Sequence, residues 1–288
     1  MKKKKDLMEN ALHGLFLFCG FVSVAFVLLI SVYLIISGIP AIHKIGPIKF
    51  LFGTTWKSGQ NQFGILPFIL TSVYGTAGAV IMGIPIGIFT AMFLAKAAPP
   101  RIAAVIQGAV ELLAGIPSVV YGLVGMTVLV PGVQKAFHLS SGATLFSAIV
   151  VLTIMILPYI ISVSATALRA VPREYEEASL ALGANYTETW FRVSLRAAKS
   201  GVAAAVIQGV GRALGEAMAI IMVAGNVANM PGLFQSVRFL TTAIVSEMSY
   251  ASYGSLQRQA LFSIGLVLFL FIMMINWILH KVIRKEEQ

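Results

Sequence analysis

The sequence has little charge: 11% of its 288 residues are Asp, Glu, Lys or Arg, whereas 58% are hydrophobic. Soluble domains carry about 25% charged and about 45–50% apolar residues, so the composition excludes a water-soluble fold and describes an integral membrane protein. The single cysteine, Cys19, excludes an intramolecular disulfide and a cysteine-based zinc site; inside an apolar run it reads as a small buried hydrophobe. Four histidines, His13, His43, His138 and His280, fall near the ends of different predicted spans and read as interfacial side chains. No G-x-x-x-x-G-K-[ST] occurs, and the dipeptide Gly-Lys is absent, so the chain has no P-loop with which to bind ATP. Neither H-E-x-x-H nor G-x-S-x-G is present, and with no convergent His, Asp or Cys set an integral membrane enzyme is disfavoured.

What remains is apolar sequence in span-sized pieces. A helix needs about 20 apolar residues to cross a bilayer, and runs of that order cover Gly14 to Ser37, Leu66 to Ala95, Ile102 to Val130, Thr144 to Leu168, Gly201 to Ala224 and Gln259 to His280. The first is too long for a signal-peptide core of about 7–15 residues and reads as an uncleaved anchor helix. With the N-terminus inside, 14 Lys and Arg lie on the cytoplasmic side, six lie outside, and only Arg212 falls within a span. This positive-inside bias sets the orientation. The expected fold is all-α, with six transmembrane helices and both termini cytoplasmic. Its parts are a basic N-tail (1–13), an anchor helix with its outer loop (14–65), a membrane domain (66–281) and a short tail (282–288). None of the outer segments, 38–65, 131–143 and 225–258, reaches the size of a domain of about 50 residues or more, so solute capture outside falls to another protein.

The long inner segment, about 169–200, differs from the short turn at Lys96 to Arg101, where Pro99-Pro100 forbids a continuing helix. It reads Val171-Pro172-Arg173-Glu174-Tyr175-Glu176-Glu177-Ala178-Ser179-Leu180-Ala181-Leu182-Gly183. Proline in the first turn, three glutamates near the positive helix end and a terminal glycine predict a short helix stopping at Gly183. Tyr175, Ala178 and Leu182 share one face of it. A second short helix is predicted from Thr187 to about Lys199. An amphipathic helix of this kind suits either the lipid interface or a protein partner.

Charges inside spans are costly, about 2.5–3.5 kcal/mol each on insertion scales, and therefore face protein or a wet cavity. Arg212 and Glu216, four residues apart on one predicted helix, fall on the same face. They form either a structural ion pair or an anion pathway in which the guanidinium fork meets oxyanion oxygens. Glu111, about 13 Å into the third span at 1.5 Å per residue, also points inward. Pro117 frees backbone carbonyls there, which makes a kink and candidate gate. Gly83 to Gly87 and Gly211 to Gly215 each form a G-x-x-x-G suited to close packing of helices. Trp56, Trp190 and Trp277 read as interfacial anchors.

The inner loop resembles the cytoplasmic E-A-A-x-x-x-G-x9-I-x-L-P motif of bacterial ABC importer permeases. Glu177-Ala178-Ser179, Gly183, Val193 and Arg196 stand at the corresponding spacings, with Ser179 for the second Ala, Val193 for Ile and Arg196 for Pro. Two further stretches, Glu111-Leu112-Leu113-Ala114-Gly115-Ile116-Pro117-Ser118-Val119-Val120-Tyr121-Gly122 and Gly211-Arg212-Ala213-Leu214-Gly215-Glu216-Ala217-Met218-Ala219, the latter running on to Gly225-Asn226, resemble the phosphate ABC-transporter permease of the PstC type.

That resemblance implies a type I ABC importer permease fold and a non-catalytic subunit of an ATP-driven phosphate importer. It implies a PstA-type second permease, two ATPase subunits that bind the ATP and Mg, and an extracytoplasmic phosphate-binding protein. Glu177, Ala178, Ser179 and Gly183 would dock the ATPase, while Arg212, Glu216 and Glu111 would line the phosphate pathway. No cofactor, metal or nucleic acid is expected on this chain. Importing a dianion against an interior-negative potential costs about 4.6 kcal/mol per 100 mV, so an external energy source is needed. The alternatives are a permease for another oxyanion, such as sulfate or molybdate, and a secondary transporter coupled to protons through Glu111 or Glu216.

Overall fold

The computed structural model describes residues 2–286; Met1, Glu287 and Gln288, which belong to the two predicted tails, lie outside the described residues, as do the side chains of 2–11, 279–280 and 282–286. Helix α1 (Lys2–Ile45) is longer than the predicted anchor at both ends and includes Pro40. It lies against α14 (Leu256–Glu286). There Ser263 donates to the Gly38 carbonyl at 2.5 Å, and Tyr33 meets Phe262 edge-on at 5.5 Å. Between Leu12 and Ile36 α1 presents mostly exposed apolar side chains, and Cys19 among them is exposed and not buried as expected.

A short unit follows: α2 (Pro47–Phe52), then the two-stranded antiparallel hairpin β1 (Trp56–Lys57) and β2 (Gln62–Phe63). Helix α3 (Leu66–Met92) follows and ends in a π-helical segment, Phe93–Ala97. Helix α7 (Leu145–Arg169) forms the centre of the fold, with most of its residues buried against α3 and α11 (Lys199–Gly215). Gly83 and Gly87 make the α3–α7 approach possible. A Cβ on either would stand 2.8 Å or less from Ile156 or Ile160 of α7. This G-x-x-x-G therefore packs within the chain, whereas Gly211 and Gly215 have nothing within 4 Å of a Cβ position.

Two predicted spans are not continuous helices. The third comprises α4 (Pro100–Gly115), α5 (Ser118–Val124), a π-helical segment Gly125–Leu129 and α6 (Val130–Ala136). The fifth is α11 followed by the six-residue α12 (Met218–Val223). Five helical stretches are long and apolar enough to cross a membrane among the described residues, and the broken fifth run is not one of them. The 169–200 loop holds α8 (Arg173–Ala181), α9 (Tyr186–Thr189), a π-helical segment Trp190–Ser194 and α10 (Leu195–Ala197); α13 (Leu240–Glu247) precedes α14.

The hydrophobic core falls into separate clusters. A central cluster joins α7 to α12 and Phe239, a second gathers Phe50, Trp56, Phe63, Phe68 and Leu261 near the hairpin, and a third gathers Met92, Leu168, Ala198 and Val202 beside the loop of α8. Trp56 belongs to the second cluster, 8% exposed, with its indole N–H donating to Glu247 at 2.9 Å. It is a core residue, not the interfacial anchor that its place in a loop suggested.

Candidate functional site: a charged residue between two broken helices

The two helix breaks have the same local form. In each, a helix ends at a glycine, Gly115 or Gly215; the next residue, Ile116 (φ −70°, ψ 127°) or Glu216 (φ −74°, ψ 129°), is extended, and a short helix restarts two residues later. Pro117 causes the first break, since its missing N–H cannot continue the ladder. The restarted helices α5 and α12 pack together. A Cβ on Gly122 would stand 2.9 Å from the Ala219 Cα, and one on Gly125 would stand 2.7 Å from Val223.

Backbone groups freed by the breaks are taken up by hydroxyls. Tyr121 donates to the Leu113 carbonyl at 2.7 Å across the first break, and Thr241 donates to the Glu216 carbonyl at 2.7 Å at the second. Within a bilayer such carbonyls need a protein or water donor, so these contacts explain how both breaks persist at membrane depth.

The second break revises the geometry expected for Arg212 and Glu216. They are not on one continuous helix, and no ion pair joins them among the described residues. Arg212 lies in the last turn of α11, where a cation favours the negative helix end. Its guanidinium carbon stands 4.9 Å from the centre of the Tyr159 ring, and its Nε is buried without a hydrogen-bond partner. Glu216 is 8% exposed and accepts from the Ala219 N–H at 3.1 Å, at the positive end of α12. Each charge is thus balanced by a helix end, which leaves the Arg212 fork free of a carboxylate.

Glu111 is exposed and accepts from Gln107 at 3.0 Å, one turn away on α4, with no ion pair to Arg212. Beside the first break lies an apolar cavity of about 370 Å³, lined by Leu113, Ile116, Tyr121, Val124, Val151 and Ile154 among others. No group of three or more His, Cys, Asp or Glu suited to a metal occurs among the described residues.

The inner loop folds largely as its sequence suggests. Helix α8 is followed by Gly183 at φ +92°, and Tyr175 and Leu182 are 55% and 90% exposed. Glu177 and Ala178 are exposed as well, whereas Ser179 is half-buried and shares a hydrogen bond with Thr189 at 2.9 Å. The next helix starts one residue before the predicted Thr187, because Asn185 and Glu188 form a capping box. That Asn-x-x-Glu pattern was available in the sequence.

Sequence reasoning also missed Glu176. Its carboxylate pairs with Lys96 and accepts from Ser194 at 2.8 Å. Partial burial opposes its ionisation. The hydrogen bonds from Lys96 and Ser194, with the charges of Lys96 and Arg173, outweigh burial and hold the carboxyl below the usual range.

These features define a helical membrane protein with two broken helices and an exposed helical loop. The family described as "Binding-protein-dependent transport system inner membrane component" matches residues 83–287, and the chain belongs to it: it is the inner-membrane permease component of an ABC importer. It is 38% identical over 269 residues to the probable ABC transporter permease protein YqgH of Bacillus subtilis, covering 90% of this chain and 87% of that protein. It is 35% identical to the phosphate transport system permease protein PstC of Haemophilus influenzae, covering 93% and 91% respectively. Among solved structures it is similar in fold to the MetNI methionine ABC transporter in an inward-facing conformation, with a TM-score of 0.61 and 19% identity, covering 77% of this chain and 95% of that one.

Proposed function

We propose that this chain is the pathway-forming subunit of an ATP-driven inorganic phosphate importer. In this reading, residues 66–281 form the permease domain and cross the membrane with both termini cytoplasmic, the broken third and fifth runs completing six spans. The observation that carries the substrate assignment is Arg212. A guanidinium with an unpartnered buried Nε, held by an aromatic ring and not by a carboxylate, supplies the planar fork that suits phosphate oxygens. The names of the PstC relatives support the same substrate.

Charge on the outer side agrees with an anionic cargo. In this topology the outer face carries Lys44, Lys49, Lys57, Lys135, Arg238 and Arg258 against one carboxylate, Glu247, which is itself paired with Arg238 at 2.6 Å. Such a field raises the local concentration of anions.

ATP closes two separate ATPase subunits, which move the 172–199 loop through Glu177, Ala178, Ser179 and Gly183. The two permeases, this chain and a PstA-type partner, then switch from inward- to outward-facing. An extracytoplasmic binding protein delivers phosphate, Arg212 receives it, and the α5–α12 pair beside Pro117 gates the path. ATP and Mg reside in the partner chains. Glu216 and Glu111 border the pathway as acceptors. Hydrogenphosphate has a proton to donate to such a group and sulfate does not.

Competition tests the substrate. In vesicles carrying the chain with its partners, a large excess of sulfate or molybdate should leave labelled phosphate uptake nearly unchanged. Strong inhibition by sulfate would reassign the permease to another oxyanion.

A further inference from the structure

The docking helix has to transmit motion as well as receive it, and three elements meet at one carboxylate beneath it. Glu176 lies on the half-buried side of α8, about 100° around the helix from the exposed Tyr175. Its partner Lys96 belongs to the π-helical segment that ends the second span. Its other partner, Ser194, closes the π-helical segment that leads through α10 into α11. The side chains of Lys96 and Glu176 are only 10% and 20% exposed, so solvent and salt screen the pair less than a surface pair.

The Ser179–Thr189 hydrogen bond is a second tie between α8 and the returning segment, with Thr189 1% exposed. Above both ties, Met92, Leu168, Ala198 and Val202 form one packed cluster. Arg212 stands at the far end of the same α11.

We propose that Glu176 is a positioning residue that joins the docking helix, the inner end of α3 and the elbow into α11 into one moving body, so that displacement of α8 reaches the helix carrying Arg212. This rests on the 172–199 loop being the ATPase-docking loop. A carboxylate suits the task because one of its oxygens, Oε1, accepts from both Lys96 and Ser194, which lie on different elements, and π-helical segments are weak points in helical ladders that recur at functional positions.

Hydrogen exchange and the coupling ratio together test this. In the purified complex, Glu176→Gln should speed amide exchange across 172–199 by about tenfold or more, while Glu174→Gln, on the exposed part of the same helix, should not. Lys96→Met should act like Glu176→Gln, and the double variant should be no worse than the worse single one, as for two halves of one interaction. Ser194→Ala gives a milder version should the others fold poorly. The Glu176→Gln complex should still bind the ATPase subunits and hydrolyse ATP, but should move about fivefold less phosphate per ATP. Unchanged exchange overturns the proposal, as does faster exchange with an unchanged transport-to-ATP ratio. Additive single effects overturn it too. Uptake by the unsubstituted complex that ignores ATP would overturn the docking-loop reading instead, and is measured first.

Discussion

Arg212 and Glu216 are four residues apart but are balanced by different helix ends, and that separation decides what the arginine can do. An i, i+4 ion pair would have used up the guanidinium. The structure instead stacks it on Tyr159 and leaves Nε without a partner. Arg212→Ala should lower phosphate uptake by about 10–100-fold, the equivalent of one or two charge-assisted bonds, with assembly of the complex retained. Arg212→Lys should fall between, because it keeps charge and loses the fork. Uptake by labelled substrate and assembly by size-exclusion chromatography separate the cases, and a variant that fails to assemble would make Arg212 structural. The arginine was legible as the sole basic residue inside a span. Its relation to Glu216 was not, because a glycine followed by an extended residue looks the same in sequence as a glycine within a helix. Tyr159 was not singled out either, as nothing in its local pattern tells a stacking tyrosine from a core one. Trp56 shows the same limit: a tryptophan in an outer loop suits the interface by type, and only the fold brings Glu247, 191 residues away, to its indole N–H.

At the scale of elements, apolar run length located the helices well, because a bilayer leaves few alternatives to a span-length helix. The ends were less legible. Helix α1 extends to Ile45 because Pro40 lies inside it without ending it, and a single proline in an apolar helix does not announce which it will do. Pro117 does end its helix, and the sequence showed the weak point there though not the full break. The inner loop was the most legible element, since proline, acidic first turn and Gly183 all act locally. Its anchorage through Glu176 and Lys96 was not, being a contact between residues 80 positions apart. The α5–α12 contact depends on the absence of a side chain at Gly122. Gly122→Ala would put a methyl 2.9 Å from the Ala219 backbone and should destabilise the permease by about 1–3 kcal/mol, the usual cost of overpacking. A lower midpoint in thermal unfolding of the purified chain would show this, and an unchanged midpoint would mean that α5 and α12 already separate easily.

For the whole molecule, the division of labour follows from what this chain holds and what it does not. Its sequence carries no P-loop, Tyr175 on α8 and Leu182 just past its end are exposed, and Arg212 stands in the last turn of the first of the two helices of the fifth run. In the proposed account, uphill import of an anion draws on energy that enters through the loop, passes along α3 and α11 and ends at the α5–α12 pair. The most direct test is uptake of labelled phosphate into vesicles containing this chain, its partner permease, the ATPase subunits and the binding protein, with ATP on the ATPase side or a proton gradient alone. Uptake that requires ATP and is indifferent to the gradient is the predicted result. Uptake driven by the gradient without ATP would contradict the account and make Glu111 and Glu216 the residues that couple transport.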